Sequence, residues 1–436
     1  MSELPPQVSV LILGGLVHLA RPLVCFLVNS DKDPAWSGPR ISHIRIADKF
    51  LVAPGASTTH VDPETMQALE DPRVEYRQVN LNIAANVEKV YDNPNGGSYD
   101  IVFDFTGEGV LPIILPEELL IERTVKLAHA LACESRRRNV RAHIRDTNCF
   151  MTVSPDAAPA KEGDVPKPKT IRSYWWYEAE RAVASVEGLN LAILRPAQVM
   201  GPHLYHSAAT ARFMIGKLYQ WTSEPMKWLW GPDLRIHTLW STDWCRAAWG
   251  VAQWVSQRDR RACDDEAGEK LPPVQMKDKV QATLREKVGQ GCCPRDATPT
   301  APVFNVVDDE DMTQGKLIKI VGEYYKIEVG FVNAAINAWA KLNFSSVVDE
   351  VNERHAAIVE DVFLKYANRG THLTSFQDPE ALANRAIALD GSKIQRVIGW
   401  RPTVRIGTEQ LQEMMDAWVR SGAIPEALAK ATGPNQ

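Results

Sequence analysis

Residues 8–23 read VSVLILGGLVHLARPL, and the junction between the first six of them and the two glycines decides the fold. Residues 8–13 form a continuous apolar run, too short to cross a membrane and preceded by acid and proline rather than by the basic leader of a signal peptide. Such a run is expected as a strand buried on both faces of a parallel sheet. Gly14 and Gly15 mark a tight turn, and apolar residues at helical spacing follow over 19–28. A strand, a glycine turn and a helix in this order open a dinucleotide-binding unit. Glycine is needed there where the backbone turns, where it approaches a pyrophosphate, and where helix meets strand. The turn is kept, with Gly14, Gly15 and Leu16 as cofactor-facing candidates, but Val17 and Ala20 stand at the second and third glycine positions.

The alternation continues outward from this unit. Strands are expected at 41–47, 74–79, 99–105, 140–144 and 189–194, with a long helix at 121–135 and another at about 174–186. This βα order specifies an α/β fold: a Rossmann-like, doubly wound parallel sheet with right-handed crossovers. Residues 1–200 are read as the dinucleotide-binding core. Residues 201–436 are read as a smaller C-terminal substrate-binding lobe that returns one strand, at 303–307, to the core. Within that lobe, 256–301 is rich in charge, proline and glycine and reads as an exposed insertion, either a passive loop or a lid.

Composition narrows the function. The 49 basic and 54 acidic side chains give a formal charge of -5, which offers no general attraction for nucleic acid or anionic lipid. Seven scattered cysteines, none in a metal-binding CxxC spacing, point to a reduced cytoplasmic setting and to no metal site. Asp48, at the end of the second expected strand, is the residue type that hydrogen-bonds the ribose hydroxyls of NAD. The polar stretch DKDPAWSGP accounts for its long separation from Gly14. The alternative for Asp48 is an ordinary strand-end residue that starts a turn.

Five further segments match one family in order. VEYRQVNLNIAANVEKVY (74–91), FDFTGEG (103–109), ILRPAQVMGPH (193–203), HTLWSTDWCRAAW (237–249) and LDGSKIQRVIGWRPTVRI (389–406) resemble the extended short-chain dehydrogenase/reductases, the NAD-dependent epimerase/dehydratase group. The resemblance implies NAD or NADP as cofactor, with NAD favoured by Asp48, and a small hydroxylated or keto substrate. It places Asn80, Leu81, Thr106, Gly107, Arg195 and Pro196 along the cofactor, and His203, His206, Arg235 and His237 around the substrate pocket. A second copy of the chain, docking through the helices near 121–135 and 174–186, is a candidate partner.

The family's chemistry uses a Tyr, a Lys four residues later that lowers the Tyr pKa, and a Ser or Thr on the fifth strand. An isolated tyrosine, with a pKa of about 10, is ionised to roughly one part in a thousand at neutral pH, so the cation matters. In TIRSYWWYEAERAVA (170–184), the family's Ala-Glu pair at Ala179 and Glu180 sets the register. Arg172 then falls at the Tyr position and Trp176 at the Lys position. The Ser position, four residues before Phe150, becomes Asp146, with Thr147 beside it. Two other registers stay open: Tyr174 with Glu178, and Tyr177 with Arg181, whose guanidinium could supply the charge.

Three readings follow. The first is an NAD(P)-binding oxidoreductase, epimerase or dehydratase with a non-standard acid/base set drawn from Asp146, Thr147, Tyr174 and Tyr177. The second is a catalytically inactive nucleotide sensor or scaffold, needing no cofactor. The third is a lyase or isomerase that moves protons without a redox step.

Overall fold

The computed structural model describes residues 4–433 except 17, 35, 54–55, 109–114, 148–150, 275–278, 290 and 367–370; Val17, Gly109 and Phe150 lie outside the described residues. Eight strands form the central sheet: β1 Gln7–Leu13, β2 Arg40–Asp48, β3 Val74–Gln78, β4 Ile101–Asp104, β5 Ala142–Asp146, β6 Leu191–Pro196, β7 Gly268–Lys270 and β8 Thr300–Val306. Their order across the sheet is β7-β8-β6-β5-β4-β1-β2-β3, all parallel except the β7/β8 pair. The chain leaves β1 toward β2 and β3, then returns to β4 on the other side. The gap between the carboxyl ends of β1 and β4 is therefore the topological switch point, where open α/β sheets hold ligands.

The period-2 alternation of a strand explains how one apolar run serves two layers. Val8, Val10 and Ile12 of β1 join the cluster formed with helices Ala20–Val28 and Ser241–Ser256. Leu11 and Leu13 face the opposite layer, with Leu127 and Leu131 of helix Leu127–Arg137. The helix expected at 121–135 begins with a π-helical turn over Ile121–Lys126 before becoming α-helical. A separate cluster around Phe213, Met214, Tyr325 and Trp418 is the core of the lobe, built on helices Ala208–Thr222, Gln314–Tyr325 and Thr408–Arg420.

The aromatic helix spans Ile171–Ala184, three residues earlier than its apolar pattern suggests. The cause is a capping box, in which Thr170 Oγ1 accepts from the Ser173 N–H (3.1 Å) and Ser173 Oγ accepts from the Thr170 N–H (3.2 Å).

One expectation is corrected here. The segment 256–301 is not a passive exposed loop: it contributes helix Arg260–Ala267, the edge strand β7 and helix Lys279–Gly289. It also buries Leu271, Val288 and Cys293 against Tyr177 and Val183. As a result every residue from Ser173 to Ala184 is buried within the single chain. Among the described residues no helix is long and apolar enough to cross a membrane.

Candidate active site at the sheet's carboxyl edge

The glycine turn is built on two close approaches. Gly14 adopts φ +72°, and a Cβ there would stand 3.2 Å from the Phe105 carbonyl carbon. A Cβ on Gly15 would stand 2.0 Å from Ile46 Cγ2, so no side chain fits between the turn and β2. The turn is tied to that strand by Gly14 N–H donating to the Ala47 carbonyl at 2.8 Å and Leu16 N–H donating to Asp48 Oδ2 at 2.8 Å. Phe50 N–H reaches Asp48 Oδ1 at 3.3 Å. Asp48 is buried, and burial raises its pKa against the lowering effect of these N–H donors. Its carboxylate thus holds the turn, a role not visible in the sequence. His18 follows in the same turn, and burial first, then His206 and Arg21, lowers its pKa to about 4. Further along, Asn80 is exposed and accepts from Asn82 N–H at 3.0 Å, whereas Leu81 is buried among Leu11, Ala47 and Val87.

At the switch point the strand register sets Asp104 beside Arg145, and they form an ion pair of 2.9 Å with both side chains buried. Thr106 closes this corner, its Oγ1 donating to Asp104 Oδ1 at 2.7 Å and accepting from Arg145 at 3.3 Å. The Arg145 guanidinium lies 5.0 Å from the Trp176 ring centre, a cation–π contact. Trp176 donates its indole N–H to the Glu108 carbonyl at 2.9 Å. Trp176 is thus a buried, bonded indole packed against Gly107.

Asp146 is the last residue of β5 and 3% exposed. Its Oδ1 is sealed from solvent and has no hydrogen-bond partner among the described residues. Burial raises its pKa to about 7, opposed by Arg145 and reinforced by Asp104. Thr147 is different: its hydroxyl donates to Glu180 Oε1 at 2.7 Å. Glu180 is also held by Arg195 through Nε at 3.0 Å and Nη2 at 2.5 Å, and Arg195 Nη1 donates to the Glu162 carbonyl at 3.2 Å. Arg195 therefore locks β6 to the aromatic helix, while Pro196 at the strand end is half-buried.

Neither tyrosine is placed for proton exchange at the strand ends. Tyr177 donates to the Pro272 carbonyl of the insertion at 2.8 Å. Arg181, four residues on, is paired with Glu178 at 2.8 Å and donates to the Leu271 and Ala297 carbonyls at 3.2 and 2.5 Å. Its charge is spent within the helix and its roof. Tyr174 donates to Glu178 Oε1 at 3.3 Å, and Glu178 also receives Arg285. Burial, followed by the nearby carboxylates, raises the pKa of both tyrosines, the opposite of what a catalytic Tyr needs. Arg172 reaches into the lobe and pairs with Asp378 at 2.8 Å and Glu380 at 2.7 Å.

The four residues expected around one substrate pocket fall into two groups. Arg235 and His237 meet on Asp311 Oδ1, each at 2.9 Å. His237 Nδ1 accepts from Leu389 N–H at 3.1 Å, so Nε2 carries the proton and donates to Asp311. His203 instead contacts Asp62 Oδ1 through Nδ1 at 2.9 Å, and His206 is exposed on the same loop. Sequence reading missed Asp62, Asp104, Glu180 and Asp311 as site partners. Only Glu180, next to Ala179 in the motif, carried a usable signal.

No family model and no curated protein matches the sequence. Solved structures do match. The UDP-glucose 4-epimerase of Thermotoga maritima superposes with TM-score 0.56 at 14% identity, covering 94% of this chain and 98% of that one. WbmG of Bordetella bronchiseptica, in complex with NAD, gives TM-score 0.57 at 13% identity over 96% of each chain. The dTDP-glucose 4,6-dehydratase DesIV of Streptomyces venezuelae, with NAD and TYD bound, gives TM-score 0.57 at 15% identity over 96% of this chain and 99% of that one. The chain therefore shares the fold of these epimerases and dehydratases.

Proposed function

We propose that the chain is an NAD-binding epimerase, dehydratase or reductase acting on a hydroxylated or keto small molecule, with Asp146 as its proton-exchanging group. The observation that carries this reading is the Asp146 carboxyl: it ends β5, the strand next to β4 of the switch point, with a buried oxygen bonded to nothing described and a pKa raised by burial to about 7. A group titrating near neutrality can both accept and return a proton. The fold supports the cofactor, because structures sharing it were solved with NAD, and relatives named for UDP-glucose and UDP-glucuronic acid suggest a sugar-nucleotide substrate.

The residues present fit a dinucleotide in part. The Gly14–Gly15 turn leaves no side chain between β1 and the approaching backbone, and an acid at the end of β2 disfavours the extra phosphate of NADP. A bound nicotinamide would supply or accept a hydride. The chain's own contribution is then to hold the substrate hydroxyl near Asp146, which takes its proton as the carbinol carbon is oxidised and returns one on reduction. Arg145, paired with Asp104, sets the charge behind Asp146, and the Glu180–Arg195–Thr147 network fixes the ends of β5 and β6. Six unpaired thiols among the described residues support a reduced, cytoplasmic setting.

The test has two readouts. Titrating NAD(H) should change the emission of the 13 tryptophans saturably; no response up to millimolar cofactor overturns the dinucleotide. In a screen of UDP- and dTDP-sugars, Asp146→Asn should lower kcat about 10²- to 10⁴-fold with cofactor binding unchanged. An unchanged rate removes Asp146 from the chemistry.

A further inference from the structure

Three side chains far apart in sequence meet beyond the carboxyl ends of β2 and β6. Asp62 caps helix Pro63–Leu69, Glu64 stands in its first turn, and His203 arrives from the loop after β6. One ligand atom from each lies within 4.8 Å of the others. Asp62 is fully buried and fixed by Thr65, through its N–H at 2.9 Å and its hydroxyl at 2.7 Å. The surroundings add imidazole. His60, two residues before Asp62, stacks on His372 with ring centres 4.1 Å apart. Its Nε2 is sealed from solvent and has no partner among the described residues.

An imidazole with two carboxylates is a donor set for an intermediate divalent ion such as Mn²⁺ or Zn²⁺, whereas Ca²⁺ and Mg²⁺ favour all-oxygen shells. Glu64 is occupied by Arg420 at 2.7 Å, but that arginine side chain is 55% exposed. An exposed pair of this kind is worth little, so Arg420 can yield to a cation at small cost. The spacing of these ligands, 141 residues between Asp62 and His203, is why no motif announces them.

We propose that Asp62, Glu64 and His203 form a binding site for one divalent transition-metal ion, which clamps the loop after β2 to the loop after β6. The competing arrangement is a purely structural Asp62–His203 pair with Glu64 left on Arg420.

Full-length, metal-stripped protein is dialysed against Mn²⁺ or Zn²⁺ and the bound metal counted by elemental analysis, with no nucleotide present. One ion per chain is expected. His203→Ala should weaken binding at least about tenfold, while Arg420→Gln, which frees Glu64 without touching a ligand, should tighten it and enlarge the rise in thermal midpoint on metal addition. Circular dichroism confirms that both variants fold. Substoichiometric uptake, or uptake unaffected by His203→Ala, overturns the site, as does Mg²⁺ binding equally well, since that marks adventitious carboxylate binding only.

Discussion

Trp176 presses on Gly107: a Cβ built on that glycine would stand 2.7 Å from the indole Cη2 and Cζ2, and its φ is +135°. The contact arises because helix Ile171–Ala184 sets this large ring against the backbone that follows β4. Gly107→Ala adds both backbone strain and overpacking, so it should destabilise by on the order of 2–5 kcal/mol. Trp176→Ala alone should cost about 3–5 kcal/mol through the cavity it leaves. With the ring gone, Ala at 107 meets less resistance, so the double variant should fall short of the sum by about 0.5–3 kcal/mol. Urea unfolding of the four proteins measures this, and strict additivity would show that the two residues do not press on one another.

The Tyr177 hydroxyl serves the insertion rather than a substrate. Tyr177→Phe leaves the Pro272 carbonyl without its 2.8 Å donor, a loss of about 1–2 kcal/mol. Cofactor binding should stay the same, and limited proteolysis should cut faster within residues 268–299. A variant that keeps its stability and protease resistance but loses turnover would return Tyr177 to the chemistry.

The sheet was legible because VLIL (10–13) and LAIL (191–194) are apolar without a break, and a run of that kind has few places to go except between two helical layers. The glycine turn was legible because Gly14 occupies a left-handed conformation that side chains disfavour. The roof over the aromatic helix was not. Its anchors are the carbonyls of Leu271, Pro272 and Ala297, and a backbone acceptor leaves no mark in a sequence. The charged residues around them read instead as a solvated loop. Asp48 carries a second role beside the one its residue type suggested: it also accepts the Leu16 N–H and so ties the glycine turn to β2.

Arg195 and Glu180 form a two-point ion pair, 3% and 1% exposed. Removing one partner leaves a buried charge uncompensated, so Arg195→Met or Glu180→Gln should cost about 3–5 kcal/mol. Replacing both at once with methionine removes both desolvation penalties and should recover part of that loss, with Thr147 left to find another acceptor. Thermal or urea unfolding of the set distinguishes this from a cofactor-binding role for Arg195, in which the single variant would unfold normally and only cofactor affinity would drop.

Asp146 ties stability to pH in a direction opposite to a salt-bridged carboxylate. An unfolded aspartate titrates near about 3.9, whereas the folded group titrates at about 7, chiefly because burial disfavours its charge. Between those values the folded chain keeps a proton that the unfolded chain has lost. By linkage, this group makes the protein less stable as pH rises from about 4 through about 7, after which the penalty stays constant. Asp146→Asn cannot ionise and should escape it. Relative to the parent, the variant should therefore gain stability between pH 5 and pH 8, by on the order of a few kcal/mol at most. Oxidation of an alcohol substrate by the parent should rise over the same interval, as the carboxylate form becomes the available base. Urea unfolding at pH 5 and pH 8 decides the first point: an equal stability difference between the two proteins at both values would mean that Asp146 titrates as an ordinary carboxyl, and the proton-exchange role would lose its basis.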